Sequence, residues 1–332
     1  MPNIKIFVSH RIDLDSETID NPIYVNVRCG AALDPRKGAA MPGDDTGDNI
    51  SEKRGTFCEL TVQYWAWKNV DAEYYGLCHY RRYLSFSQHR FSNTNEDNMI
   101  PAPVLTRNAA KKYGLLDRLE MERLVSGTDI VVAEYAPVEN ILAPLGKQTT
   151  VQGLWESYDG IFFEKSVITL MFELIDTFSP EYTKSARAYF AGKFHRGYNC
   201  YILKKELFDR LCSFQFPILF ELERRLDTTG YTETMLRTPA FVGEMLYGIF
   251  IYHLTNCEQW RVKELQLVFF RDTRPVHGFV DLAARYCRGR LVQGLRAAMD
   301  PFAPRGSRRR EALKRIYHAV KQWKITNLDK EL

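Results

Sequence analysis

Three observations predict an α/β architecture. Short apolar runs of strand length alternate with helical spans, and the connections between them are unequal in length. One such run, residues 74–78, also discharges the cluster His79-Tyr80-Arg81-Arg82 at its carboxyl end. In open α/β sheets ligands occupy the crevice beyond the carboxyl ends of the strands. Arginine's planar fork matches phosphate oxygens, so a phosphorylated ligand is the first expectation.

The elements follow in order. Residues 4–8 form an apolar run ending in Ser9-His10-Arg11, with the length and content of a buried parallel strand. Residues 24–27 read as a second strand that closes into Cys29-Gly30-Ala31-Ala32, and 35–48, rich in Gly, Pro and Asp, reads as a loop. The 3-4-3 spacing of Phe57, Leu60, Tyr64 and Trp67 predicts one helix over 56–68, stopped by Asn69 before the strand at 74–78. The polar stretch 86–103 reads as a mobile loop over a site. A helix over 115–125 leads to a strand at 129–133, and Ile161, Ile168, Met171, Ile175 and Phe178 mark an amphipathic helix. A strand at 198–203 feeds a helix over 205–214. Pro217 then opens a helix to Leu226, and Pro239 opens another through His253. Residues 262–270 return to strand-like sequence.

At 332 residues the chain suits one large domain with an appendage. No run of 18 uncharged apolar residues is present to span a membrane, and the five-residue apolar run near the amino terminus is too short for a signal peptide. The seven cysteines are odd in number and lack CxxC spacing, so they read as reduced thiols of a cytoplasmic protein. The net charge of +4 hides an asymmetry. Residues 285–324 carry twelve basic against two acidic residues, while the remainder carries 33 against 39. In this tail Leu313, Ile316, Tyr317, Val320 and Trp323 share one helical face among Lys and Arg, a pattern suited to an anionic membrane interface. An oligomerisation helix, making a homo-oligomer, is the rival reading. A nucleic-acid arm ranks third, because the body is acidic and carries no nucleic-acid motif.

Beyond these patterns, DNISEK (48–53), CELTVQYWAWKN (58–69) and YYGLCHYRRYL (74–84) form an ordered series. With KIFVSHR (5–11), YNCYILKKELFDRLCSFQFPILFELERRLD (198–227) and RTPAFVGEMLYGIF (237–250), the series resembles the bacterial galactofuranosyltransferases of capsule, exopolysaccharide and O-antigen synthesis. That family was formerly a domain of unknown function. The resemblance covers about residues 4–254 and implies a GT-A-like, Rossmann-related domain, placed here at 1–272; the basic helical tail at 273–332 lies outside it and is read from the charge and amphipathic pattern above. It implies inverting transfer from UDP-galactofuranose to a polyprenyl-linked or growing surface glycan, and the basic tail would place that transfer at the inner face of the cytoplasmic membrane. Transfer from another UDP-hexose such as UDP-galactopyranose, or a non-catalytic nucleotide-sugar or polysaccharide-binding module, are the alternatives.

The resemblance puts His79, Arg81 and Arg82 where GT-A transferases usually carry the metal-holding Asp-x-Asp. Guanidinium charge can stabilise a departing diphosphate as a cation does, so no metal cofactor is expected. The rival is a pair of arginines spent on acids in a surface network. The only literal Asp-x-Asp, Asp13-Leu14-Asp15, reads as solvated loop, and Asp44–Asp48 lacks the spacing of a calcium loop. Glu244 is the one charged residue between Ala240 and Tyr252. A lone carboxylate in an apolar helix must be paired or shifted in pKa. Glu244 is thus either the base for the attacking hydroxyl, with Gly243 and Gly248 leaving room for a ligand, or the partner of Arg237, Arg261 or another arginine. Ser9, His10, Arg11, Gly30, Asn49, Ser51 and Lys53 lie on loops that would hold the nucleotide, although Ser51 equally suits a helix cap. Tyr80, Arg237 and Asn199, the last by family resemblance near the sugar, complete the expected donor site.

Overall fold

The computed structural model describes residues 2–36 and 40–299, together with 302, 303 and 309. Its strands are β1 (Ile4–Arg11), β2 (Tyr24–Cys29), β3 (Tyr74–His79), β4 (Arg82–Leu84), β5 (Met99–Val104), β6 (Ile130–Ala133), β7 (Ala136–Pro137), β8 (Phe194–His195), β9 (Tyr201–Lys204), β10 (Val262–Leu265) and β11 (Leu267–Asp272). The α-helices are α1 (Arg54–Phe57), α2 (Leu60–Asn69), α3 (Arg107–Lys112), α4 (Arg118–Ser126), α5 (Val151–Glu156), α6 (Ser166–Phe178), α7 (Thr183–Ala191), α8 (Lys205–Arg225), α9 (Thr238–Cys257) and α10 (Gly278–Met299).

The main sheet runs β2-β1-β3-β9-β6-β10, with β9 antiparallel to its neighbours β3 and β6. A wing of β4, β11 and β5 joins it where His79 pairs with Arg82. Alternate residues of β1 enter opposite cores: Ile4, Ile6 and Val8 on one face, Phe7 on the other. A strand buried on both faces in this way is apolar throughout, which explains why β1 and β3 read as continuous hydrophobic runs.

Several expected elements differ. The single helix over 56–68 is two, because Cys58 adopts φ 49° and breaks it into α1 and α2. Part of the loop at 86–103 is β5, Met-Ile-Pro-Ala-Pro-Val; its prolines are tolerated because β5 is an edge strand. Ile161 precedes α6 rather than belonging to it. Pro217 lies inside the continuous α8 instead of opening a helix. Burial of Leu211, Phe214, Phe216, Ile218 and Leu222 carries that helix across the missing N–H. The run at 262–270 divides at Gln266, whose amide bonds the Phe91 backbone, so β10 serves one edge and β11 the wing.

The boundary expected at 272 is crossed by contacts. The Glu17 amide donates to the Thr273 carbonyl at 2.6 Å. Arg285 of α10 donates to the carbonyls of Arg274 and Pro275 and lies 3.6 Å from Asp272. The amphipathic face expected at 313–323 lies outside the described residues. Among those described, no helix is long and apolar enough to cross a membrane. All seven cysteines are free thiols.

Candidate active site

The carboxyl end of β3 opens into a cavity of about 350 Å³, a volume suited to a small ligand. His79, Arg81 and Arg82 reach it from the tight turn into β4, Glu59 from the break between α1 and α2, and Arg237 and Glu244 from α9 and the turn before it. Opposite stands an aromatic wall. Tyr158 stacks on Phe162, and Phe162 on Phe241, each at 4.2 Å between ring centroids; Arg237 covers Phe241 at 5.4 Å.

The three arginines have no carboxylate within ion-pair distance among the described residues. Nε of Arg81 and Nε of Arg82 are buried without a hydrogen-bond partner. Arg82 lies 4.5 Å over the Tyr198 ring and Arg81 5.3 Å over Tyr80, so aromatic faces hold the guanidiniums while leaving their N–H groups unused. His79 accepts the Arg81 backbone N–H on Nδ1, which leaves its proton on Nε2. Burial and the two neighbouring arginine charges hold its pKa well below the usual histidine range. It is therefore a neutral donor.

Glu244 keeps 17% of its side chain open to the cavity. Burial pushes its pKa up to about 7, against the pull of the Arg82 charge, while Glu59 and Asp97 add repulsion. The ion pair expected with Arg237 or Arg261 is absent: Arg237 donates to Cys58 Sγ at 3.0 Å, and Arg261 pairs with Asp129 at 2.9 Å. The carboxylate's charged-type neighbour is instead His195, at 3.9 Å, which burial lowers to about 4 and so keeps neutral. Gly197 makes this approach feasible. A Cβ there would sit 2.3 Å from the Glu244 carboxylate and 2.6 Å from His195 Nε2. The next two residues, Tyr198 and Asn199, adopt φ 73° and 40°, left-handed conformations that cost residues with a side chain energy. That turn is why β9 begins at Tyr201 and not at the expected 198, and it carries Asn199 to within 3.1 Å of Glu59.

Gly243 and Gly248 do not open space for a ligand. Leu60 and Tyr189 fill it, each within 2.5 Å of where a Cβ would stand.

The amino-terminal candidates are differently employed. Ser9 and His10 are buried at the end of β1 beside His79, with His10 Nε2 2.9 Å from Asn26. Tyr80 is buried, packed against His79 at 4.2 Å. Arg11 pairs with Asp13, as does Arg54, and Asp15 pairs with Arg36, so the Asp-x-Asp is spent on arginines. Gly30, at φ 75°, and Ala31 donate their amides to the buried Asp44. Ser51 Oγ donates to the same carboxylate and accepts from the Ala32 amide, so it does not cap a helix. Asn49 accepts the Ser51 amide, and Lys53 pairs with Glu223 at 2.7 Å. None of Gly30, Asn49, Ser51 and Lys53 lines the cavity. Among the described residues no group of three or more His, Cys, Asp or Glu is arranged to hold a metal ion. Glu59, Trp155, His195 and Gly197 come to the site without any local sequence signal; only the helix break at Cys58 and the topology bring them there.

The sheet order, the helical cover and the strand-end cavity define a mixed α/β protein with a GT-A-like fold. Comparison with family models identifies the lineage: residues 5–256 match the family described as a domain of unknown function, DUF4422, and the chain belongs to it. Among solved structures it is similar to WbbM, a bifunctional glycosyltransferase in its apo form, with a TM-score of 0.74 and 27% identity. The match covers 84% of this chain and 47% of that one, so the chain spans about half of that protein's length. Comparison with curated proteins gave no match.

Proposed function

We propose that this chain is an inverting glycosyltransferase that moves a galactofuranosyl residue from UDP-galactofuranose to a lipid-linked or growing surface glycan. One observation carries the reading: the buried carboxylate of Glu244 shares a cavity with Arg81, Arg82 and Arg237, none of which has a carboxylate within ion-pair distance among the described residues. In this mechanism the acceptor hydroxyl attacks the anomeric carbon and gives its proton to Glu244. The bond from that carbon to the diphosphate oxygen breaks, and the electron pair leaves with UDP, whose charge Arg81, Arg82 and Arg237 receive. His79 Nε2–H adds a neutral donor. The similarity to WbbM supports the class of reaction, and the ordered sequence blocks support the furanose donor.

The test is product analysis by mass spectrometry after incubation with UDP-galactofuranose, UDP-galactopyranose and UDP-glucose in the presence of lipid-linked acceptors. Transfer only from a pyranose donor moves the specificity. Donor binding without transfer from any of them makes the chain a binding module. The basic segment 285–324 would dock the enzyme to anionic lipid at the inner face of the cytoplasmic membrane, each basic residue free of a carboxylate adding about 1 kcal/mol near the surface, whereas Arg285 is already paired with Asp272 and Asp281. Removal of residues beyond Met299 is expected to lower sedimentation with phosphatidylglycerol vesicles and to spare transfer to a soluble acceptor.

A further inference from the structure

One turn beyond Glu244 on α9 stands Gly248, and the space it leaves is taken by the Tyr189 hydroxyl of α7, 2.5 Å from where a Cβ would stand. Gly197 plays the same part beside Glu244, whose carboxylate and His195 Nε2 both crowd the position of its absent Cβ. These two missing side chains let three groups from separate elements converge: Tyr189, His195 at the end of β8, and Glu244. His195 Nδ1 lies 3.2 Å from Tyr189 Oη, and its Nε2 lies 3.9 Å from Glu244 Oε1. The Trp155 ring packs edge-on against the imidazole at 5.5 Å.

The protons of this chain can be placed by counting. A tyrosine hydroxyl has one proton to give and two lone pairs to fill. The Arg196 N–H donates to Tyr189 Oη at 3.1 Å, and the Arg196 carbonyl, 3.2 Å away, can only accept. The hydroxyl proton therefore goes to that carbonyl, and the remaining lone pair receives His195 Nδ1–H. With Tyr189 donating to Nδ1 instead, the buried Arg196 carbonyl would lose that proton, and buried backbone groups rarely go unmet. Burial keeps the phenol protonated and the imidazole neutral, so each has a single proton to place. With the imidazole proton on Nδ1, Nε2 has only a lone pair to turn toward Glu244.

We infer that Tyr189 and His195 are positioning residues for Glu244: the hydroxyl fixes the imidazole proton on Nδ1, and the bare Nε2 withholds a hydrogen bond from the carboxylate. The inference rests on the reading of Glu244 as the base and concerns what sets its strength. A donor at this point would favour the ionised form and weaken it as a proton acceptor. The other groups bearing on the carboxylate are Arg82 and Arg237, the acids Glu59 and Asp97, the Tyr198 backbone N–H, and the phenols of Tyr158 and Tyr198. None of them is altered by replacing Tyr189 or His195.

Long-range proton–nitrogen NMR of the full chain, labelled at histidine, reads the tautomer. Carbon NMR follows the Glu244 carboxyl through pH without substrate, with His195→Gln and Glu244→Gln identifying the signals. A proton on Nδ1 and a carboxyl that titrates at about 7 are expected in the wild type. Tyr189→Phe removes the acceptor of Nδ1–H and frees Nε2 to carry the proton, and His195→Gln puts an amide donor in the same place. Each is expected to lower both the carboxyl titration and the acid limb of kcat/KM by about one pH unit or more. His195→Phe offers no donor and should keep both at about 7, and adding it to Tyr189→Phe should restore them. A purely structural role predicts no such reversal. A wild-type imidazole protonated on Nε2 overturns the inference, as does a carboxyl titration unmoved in whichever of Tyr189→Phe and His195→Gln folds. Where the carboxyl shifts as expected but the wild type transfers no sugar from any UDP-hexose, the positioning stands and the transferase reading falls.

Discussion

Two clusters of arginine face the same end of the sheet and behave in opposite ways. Arg11, Arg28, Arg36 and Arg54, around the ends of β1 and β2, are each matched by Asp13, Asp34 or Asp15. Arg81, Arg82 and Arg237, one strand further on, have aromatic rings and a thiol but no carboxylate within ion-pair distance among the described residues. Charge that is already neutralised holds loops together. Charge held by ring faces, with N–H groups left over, is the arrangement an anion-binding site would need. Both clusters look alike as sequence; only their partners separate scaffold from site.

The largest effect tests the carboxylate that the unpaired cluster surrounds. Glu244→Gln preserves shape and removes the carboxylate proposed as the base. It is expected to lower kcat by about 10²–10⁴-fold, the usual worth of positioned general-base catalysis, with UDP affinity retained. Equal activity in the variant would return Glu244 to a structural role. Gly197→Ala reaches the same group indirectly, since the added methyl would stand 2.3 Å from the carboxylate. Displacement of a catalytic group by about 1 Å costs roughly 10²-fold, so kcat should fall by that order while circular dichroism stays native.

The clusters themselves are compared by matched substitutions. Arg81→Ala or Arg82→Ala should lose about 1.5–3 kcal/mol of charge-assisted hydrogen bonding to the diphosphate, one to two decades in kcat/KM. No folded-state ion pair is lost, so the melting temperature should hold. Arg28→Ala removes a 2.7 Å bond to Asp34 and should do the reverse: a lower melting temperature with near-normal kcat/KM in the folded fraction. If all three variants lose stability and none loses affinity, the distinction between the clusters fails.

What could be read beforehand follows the same division. That Arg81, Arg82 and Glu244 line one cavity was legible because each is a local anomaly: two cations at a strand end, and one acid in an apolar helix. The strands β1, β3 and β6 were legible because burial on both faces demands unbroken apolar runs. Glu59 was not, because the helical spacing from Phe57 to Trp67 conceals the break at Cys58 that turns it toward the cavity. Gly197 and His195 are ordinary in sequence and acquire meaning only when α9 brings Glu244 beside them. Ser51 and Asn49 lie outside the cavity for a physical reason: polar loop residues suit ligands and each other equally, and here Asp44 and the neighbouring amides take them.

A pH profile sharpens the comparison further. Below about 7 Glu244 holds its proton and cannot accept another, so kcat/KM should rise close to tenfold per pH unit and level off above that value. Stability should move the other way. The folded state binds this proton more tightly than the unfolded chain, whose carboxyl titrates near 4.5. Stability relative to Glu244→Gln should therefore fall as pH rises from about 4.5 through 7. An activity limb that survives in Glu244→Gln would assign the titration to another group.

The smallest expected effect is that of chelation. A divalent cation in a sugar-nucleotide transferase neutralises the leaving diphosphate, and it needs carboxylates at the strand end to hold it. At the end of β3 this chain presents Arg81 and Arg82, whose fixed charge would serve the same purpose in the proposed mechanism. The acids nearest in sequence pattern, Asp13 and Asp15, are engaged by Arg11, Arg54 and Arg36. Arginine bound to Asp13 holds its carboxyl well below the usual carboxylate range, so it stays ionised and paired rather than vacant. Excess EDTA should accordingly change kcat/KM by less than about twofold, within the scatter of contributions from single surface charges. A hundredfold loss restored by manganese would mean that the paired cluster opens to receive a metal when donor binds, and that Arg11 and Arg54 release Asp13 in doing so. Arg54→Ala would then raise the affinity for manganese, a result that unpaired arginines at β3 give no reason to expect.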